Sequence, residues 1–231
     1  MSVKLIVALD FETQQSALTL VDQLDPTCCA LKVGSEMFTL FGPAFVRCLI
    51  AKGFNVFLDL KFHDIPNTVA RAAKASAELG VWMLNVHAAG GLAMMSAAKQ
   101  ALEEYGQSRP LLIAVTVLTS MSAPELSAIG VSRPLDDQVV DMARLAQLAG
   151  LDGVVCSPLE VTAMKAACGK QFFAITPGIR LSAEKADDQT RILTPEQALA
   201  AGSDYLVIGR PITRAANPAA VVQELLLSIA K

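Results

Sequence analysis

Eight short apolar runs, each separated from the next by a segment of helical periodicity, constrain this chain more than any other feature. The runs are Val3 to Leu9, Ala30 to Val33, Val56 to Leu60, Met83 to His87, Leu111 to Leu118, Gly153 to Cys156, Phe172 to Thr176 and Tyr205 to Ile208. Between and after them, apolar residues recur near every 3.6 positions in Gln14 to Leu24, Pro43 to Lys52, Asn67 to Leu79, Leu92 to Tyr105, Asp136 to Ala149, Leu159 to Ala167, Pro195 to Ala201 and Pro218 to Ile229. Strands that alternate one for one with helices form a parallel sheet, because a parallel neighbour is reached only through a long crossover. Eight such units in 231 residues predict an α/β fold, the (β/α)8 or TIM barrel. The competing doubly wound sheet is usually marked by G-x-G-x-x-G after the first strand. Here the first run passes instead into Asp10-Phe11-Glu12.

With 53% hydrophobic and 18% charged residues and no Gly/Ser-rich or Pro-rich linker, residues 1–231 read as a single catalytic domain with one large core. The net charge is −3, and Lys and Arg are scattered singly. That excludes the basic stripe a nucleic-acid or anionic-membrane surface requires, so an anionic ligand must be bound locally. Five cysteines show no C-x-x-C and only two histidines accompany them, which predicts no metal site and small buried thiols in a reducing compartment. The N-terminus lacks the apolar core and cleavage site of a signal peptide, and no apolar stretch reaches about 20 residues. The expectation is a soluble cytoplasmic protein.

The third run violates the pattern of the others. Val56-Phe57-Leu58 continues into Asp59-Leu60-Lys61-Phe62-His63-Asp64, placing an acid and an ammonium where a barrel strand is normally apolar. Alternation in a strand puts Asp59 and Lys61 on one face and Leu58, Leu60 and Phe62 on the other. Desolvating two such charges is costly unless they pair, and a cost of that kind is characteristic of chemistry; a surface ion pair on an edge strand is the alternative. Asp10, at the end of the first run, can be a helix cap, and Lys32, in Leu31-Lys32-Val33-Gly34, can snorkel to the rim. Beside Asp59 and Lys61 the two complete an alternating acid–base chain.

Asp64 precedes Pro66, Asn67 and Thr68, where a turn leads into the third helix, so it reads as a turn acid or a site acid. His63 and His87 read as structural imidazoles, and Trp82, Met94 and Met95 as packing residues. Near the C-terminus, Thr176-Pro177-Gly178-Ile179-Arg180 and Ile208-Gly209-Arg210-Pro211-Ile212-Thr213 follow the seventh and eighth runs, the usual phosphate corner of such a barrel. Arg210 carries a planar fork suited to phosphate oxygens, the alternative being a structural arginine that caps a helix or pairs with Asp204. The polar stretch from Leu181 to Leu193 is long enough to fold over a ligand, with Gln189 bonding from above. Thr119, at the end of the fifth run, offers a hydroxyl to a heterocycle or to a turn.

Asp59-Leu60-Lys61-Phe62-His63-Asp64-Ile65-Pro66-Asn67-Thr68 resembles the D-x-K-x-x-D-I-x-x-T signature of orotidine 5′-monophosphate decarboxylases, and the resemblance extends through Ala8-Leu9-Asp10, Leu31 to Gly34, Thr176 to Arg180 and Ile208 to Thr213. It implies loss of CO2 from C6 of the orotidine nucleotide with neither metal nor organic cofactor. It further implies Lys61 as proton donor, Asp59 and Lys32 beside it, Asp10 and Lys32 at the ribose, Thr119 at the pyrimidine, and Gln189, Gly209 and Arg210 at the phosphate with Arg180 nearby. The family is also homodimeric, which implies that Asp64 and Thr68 reach into the partner's pocket. A Mg-dependent sugar-phosphate decarboxylase or aldolase of the same barrel superfamily shares the D-x-K-x-x-D core and is the nearest alternative; a non-catalytic nucleotide-binding protein is the other.

Overall fold

In a computed structural model, which describes residues 4–180 and 192–229, eight parallel strands close into a barrel in sequence order. They are β1 (Leu5–Leu9), β2 (Ala30–Gly34), β3 (Val56–Phe62), β4 (Met83–His87), β5 (Leu111–Val115), β6 (Gly153–Val155), β7 (Phe173–Thr176) and β8 (Tyr205–Ile208). The helices are α1 (Gln14–Val21), α2 (Ser35–Ala51), α3 (Pro66–Glu78), α4 (Gly91–Ala101), α5 (Ala123–Ala128), α6 (Leu135–Leu148), α7 (Val161–Cys168), α8 (Pro195–Ala200), α9 (Arg210–Thr213) and α10 (Pro218–Ile229). Each strand is buried on both faces, which is why the runs are apolar throughout and show little alternation. In β1, Ile6 and Ala8 join a cluster inside the barrel, whereas Leu5, Val7 and Leu9 pack outward beneath the helices.

Three differences from the sequence reading have local causes. Helix α2 begins at Ser35 and not at Pro43, because Gly42 takes a left-handed φ of 61° and lets a preceding helical segment join the one that Pro43 starts. The fifth run is strand only as far as Val115; Thr116 to Leu118 stay largely apolar while leaving the ladder for the loop before α5. Strand β3, in contrast, runs past its apolar stretch to Phe62 and includes both charged residues. The five cysteines are free thiols, and burial pushes that of Cys29 up to about 12.

The N-terminal end of the barrel is closed. Trp82 and Phe173 pack edge-on against Tyr205 beneath the interior cluster. Around them Arg109 forks onto Asp152 with two bonds of 2.7 and 2.6 Å, and Lys165 meets Asp204 at 2.6 Å. Each acid also accepts a backbone N–H, Asp152 from Leu112 and Asp204 from Ala174. Pairing with Lys165 leaves Asp204 at the end of the barrel opposite Arg210, so the alternative of an Arg210–Asp204 ion pair is not what forms.

Candidate active site

The opposite end is open, and its centre is Asp59. One carboxylate oxygen lies 2.7 Å from Lys61 Nζ and the other 3.2 Å from Lys32 Nζ. Asn85 Nδ2 donates to the first oxygen at 2.7 Å. Burial would raise the Asp59 carboxyl, but the charges of Lys32 and Lys61 and the bonds from Lys61 and Asn85 outweigh it and hold it below the usual carboxylate range. The three residues are positioned by adjacent parallel strands, with Gly34 registered on Asp59. A methyl group at Gly34 would sit 3.4 Å from Lys32 Nζ, in ordinary contact with it.

The acid and the ammonium meet as expected, although not along an uninterrupted strand. Lys61 has φ 53°, the only left-handed non-glycine backbone among the described residues, a conformation that costs roughly 1–2 kcal/mol. The β3–β4 ladder pairs Leu58 with Leu84 and resumes only at Phe62 with Val86. The bulge turns the lysine stem so that its ammonium folds back onto Asp59. Bulges that re-aim a side chain in this way are common beside active sites.

The chamber above Asp59 measures about 780 Å³, within the range of small-molecule sites. Asp10, Lys32, Asp59, Lys61, Thr119, Arg180, Gly209 and Arg210 all line it, so residues read separately from six strand ends converge. Arg180 donates from one terminal nitrogen to the carbonyl of Ile179, and its other terminal nitrogen is buried with no hydrogen-bond partner among the described residues. Such a group is a donor awaiting an acceptor. Gly209 lies beside the end of β1: a methyl group there would be in ordinary contact, 3.6 Å from the Ala8 side chain and 3.7 Å from Asp10 Oδ2.

Asp64 and Thr68 do not line this chamber. Asp64 is exposed and accepts the N–H of Ile65 at 2.6 Å, and Thr68 is half-buried in the first turn of α3. Gln189, together with most of the stretch read as a lid, lies outside the described residues. His63 and His87 stack on each other at 5.3 Å outside the chamber; burial foremost, then His63 and Lys61, pull the His87 pKa down.

The sequence reading missed Glu12, Thr13, Ser16 and Arg214 on the chamber wall, which belong to amphipathic or turn segments where polar residues carry no signal. It also missed Asn85, whose signal was available: a lone amide inside Met83-Leu84-Asn85-Val86-His87 breaks the same rule as Asp59.

Residues 3–225 match the family described as orotidine 5′-phosphate decarboxylase / HUMPS. An orotidine 5′-phosphate decarboxylase of Legionella pneumophila (strain Paris) is 61% identical over 226 residues, 98% of this chain and 99% of that one. The chain belongs to the orotidine 5′-phosphate decarboxylase / HUMPS family. Another member, from Pseudoalteromonas translucida, is 60% identical over 99% of this chain and 97% of its own. Among solved structures, the orotidine 5′-phosphate decarboxylase of Lactobacillus acidophilus superposes with a TM-score of 0.89 at 38% identity over the full length of both chains. An uncharacterized conserved protein from Geobacillus kaustophilus gives 0.85 at 43% identity over 97% of this chain and 99% of its own. The barrel and its family are therefore those the strand pattern and the third-strand signature predict.

Proposed function

We propose that the chamber converts orotidine 5′-monophosphate to UMP and CO2, the decarboxylation that completes de novo UMP synthesis, with Lys61 protonating C6. The observation that carries this reading is one buried carboxylate gripped by two ammonium groups, inside a chamber whose described lining holds five basic against three acidic side chains. Such a chamber favours a multiply anionic ligand. Arg210 and Arg180 suit its phosphate, Gly209 leaves room for close approach, and Thr119 can hydrogen-bond the pyrimidine. Asp10 and Lys32 are placed for the ribose, while Gln189 would complete the phosphate grip.

Departure of CO2 leaves an electron pair in the plane of the ring, where the π-system cannot readily absorb it. A fixed ammonium beside C6 favours that charge and then quenches it by giving up a proton. The Asp59 carboxylate, ionised through its two cations, keeps Lys61 in place. Binding energy from the distant phosphate can be used to assemble this charged pocket around the reacting carbon.

The reading needs neither metal nor organic cofactor, since the positive charge at C6 comes from lysine. Among the described residues no three His, Cys, Asp or Glu side chains are grouped so that they could hold a metal ion, whereas the Mg-dependent alternative would want an additional acid near Asp59 and strand β2 offers Lys32. Asp64 and Thr68, which follow Lys61 in the chain but do not line its chamber, are compatible with a homodimer in which each subunit lends them to the other. No described helix is long and apolar enough to cross a membrane.

The direct test is an absorbance assay of orotidine 5′-monophosphate consumption after exhaustive EDTA treatment. Full activity is expected; activity restored only by Mg2+ would support the sugar-phosphate type of chemistry, and nucleotide binding without CO2 release would reduce the protein to a binder. Shared sites predict that inactive Asp64→Ala and Lys61→Ala subunits regain activity on mixing, and no recovery after demonstrated subunit exchange would remove Asp64 from the partner's pocket.

A further inference from the structure

The side chain of Asn85 has no exposed surface, yet it belongs to a barrel strand otherwise built from Met83, Leu84, Val86 and His87. It sits where the β3–β4 ladder breaks. Between the Leu58–Leu84 and Phe62–Val86 pairs β3 has three residues, Asp59, Leu60 and Lys61, while β4 has only Asn85, so backbone groups of the bulge lose their ordinary partners. Asn85 Oδ1 takes one of them, accepting the Lys61 N–H at 2.7 Å. Asn85 Nδ2 donates to Asp59 Oδ1, also at 2.7 Å. The two partners fix which end of the amide is which, because an N–H requires the oxygen and a carboxylate requires the NH2.

One neutral side chain thus holds the left-handed turn that aims Lys61 and the carboxylate on which Lys61 and Lys32 converge. We propose that Asn85 is a positioning residue for the proton donor, setting the height of the Lys61 ammonium and the rotamer of Asp59 without touching substrate. This rests on the reading of Lys61 as the donor. Leucine at 85 has the same branching and the same number of side-chain heavy atoms, in a somewhat bulkier form, but supplies neither bond. The Lys61 backbone would then lose its restraint against relaxing from φ 53°, and Asp59 would lose a donor. Misplacement of a reacting group by about 1 Å can cost roughly 10²-fold in rate, whereas nucleotide affinity, governed by the arginine corner, would be little affected.

The experiment compares Asn85→Leu and Asn85→Asp with the parent by kcat and KM for orotidine 5′-monophosphate and by calorimetric Kd for UMP. For Asn85→Leu the expected result is a fall in kcat of about 100-fold, with KM and the UMP Kd within about threefold. Asn85→Asp keeps the acceptor for Lys61 N–H but sets a second acid against Asp59, with Lys61 on the same strand, Lys32 across β2 and His87 on β4 as the other titratable neighbours. Burial and Asp59 would raise its pKa, and only its protonated form can donate. Its kcat should therefore fall as pH rises, along a limb the parent lacks.

A kcat within twofold of the parent for Asn85→Leu, or UMP affinity lost in step with kcat as in a general folding defect, overturns the proposal. Should Asn85→Leu fail to fold, the Asn85→Asp profile decides, and a profile parallel to the parent's counts against positioning. A Lys61→Ala control that is inactive while both Asn85 variants work normally removes Asn85 alone. A Lys61→Ala variant that turns over normally removes the donor reading beneath it.

Discussion

The two ends of the barrel handle charge in opposite ways. At the closed end each acid has one cation and one backbone N–H: Arg109 with Asp152 and Leu112, Lys165 with Asp204 and Ala174. Aromatic rings fill the space between, and the end is a finished structure. At the open end one acid serves two lysines, a lysine carries a left-handed backbone, and an arginine nitrogen is buried without a partner among the described residues. The same residue types stabilise at one end and leave an excess of positive charge at the other. Strain and unmet hydrogen-bonding capacity, held in place by a rigid scaffold, distinguish a site from a structural ion pair.

This contrast can be attacked from both ends. The largest effect expected is from Lys61→Ala, which should lower kcat by about 10³-fold or more while leaving UMP affinity nearly intact; comparable turnover in the absorbance assay would make the open-end lysine structural after all. Arg210→Ala should weaken nucleotide binding by roughly 10- to 100-fold, the value of a charge-assisted hydrogen bond or two, and unchanged kinetics with the full substrate would place the phosphate elsewhere. At the closed end, Asp152→Ala strands Arg109 and the Leu112 N–H at a cost on the order of 2 kcal/mol, or a drop of about 4–8 °C in Tm for a chain of this size. Its kcat/KM at 25 °C should stay within twofold, and a large loss would mean that the ends are coupled.

The smallest effect concerns pH. Because the folded Asp59 carboxyl titrates below its unfolded value of about 3.9, the stability that it contributes is complete above roughly pH 5 and is lost as pH falls through the lowered folded pKa. The Tm gap between the parent and Asp59→Asn should thus be constant from pH 7 to 5 and shrink on further acidification. A gap that widens in acid would reverse the assigned direction.

Most of the architecture was legible because a barrel strand buried on both faces stands out as a short apolar run: β4 and β8 match their runs residue for residue. Asp59 and Lys61 were legible because charge within such a run is conspicuous. Arg214, Ser16 and Thr13 were not, since polar residues on helices and turns are ordinary. Asn85 fell between the two, an anomaly whose meaning depends on which side chain faces it across the ladder.

The chain's own pattern determined the number of strands, their parallel order and the end of the barrel at which chemistry collects, because burial on both faces is a local demand that each run meets for itself. Only the folded barrel decided that β3 bulges at Lys61, that Asn85 bridges the bulge to Asp59, and that Asp64 stays outside the chamber. These depend on the register between neighbouring strands and on hydrogen bonds between residues more than twenty positions apart, which no local pattern records.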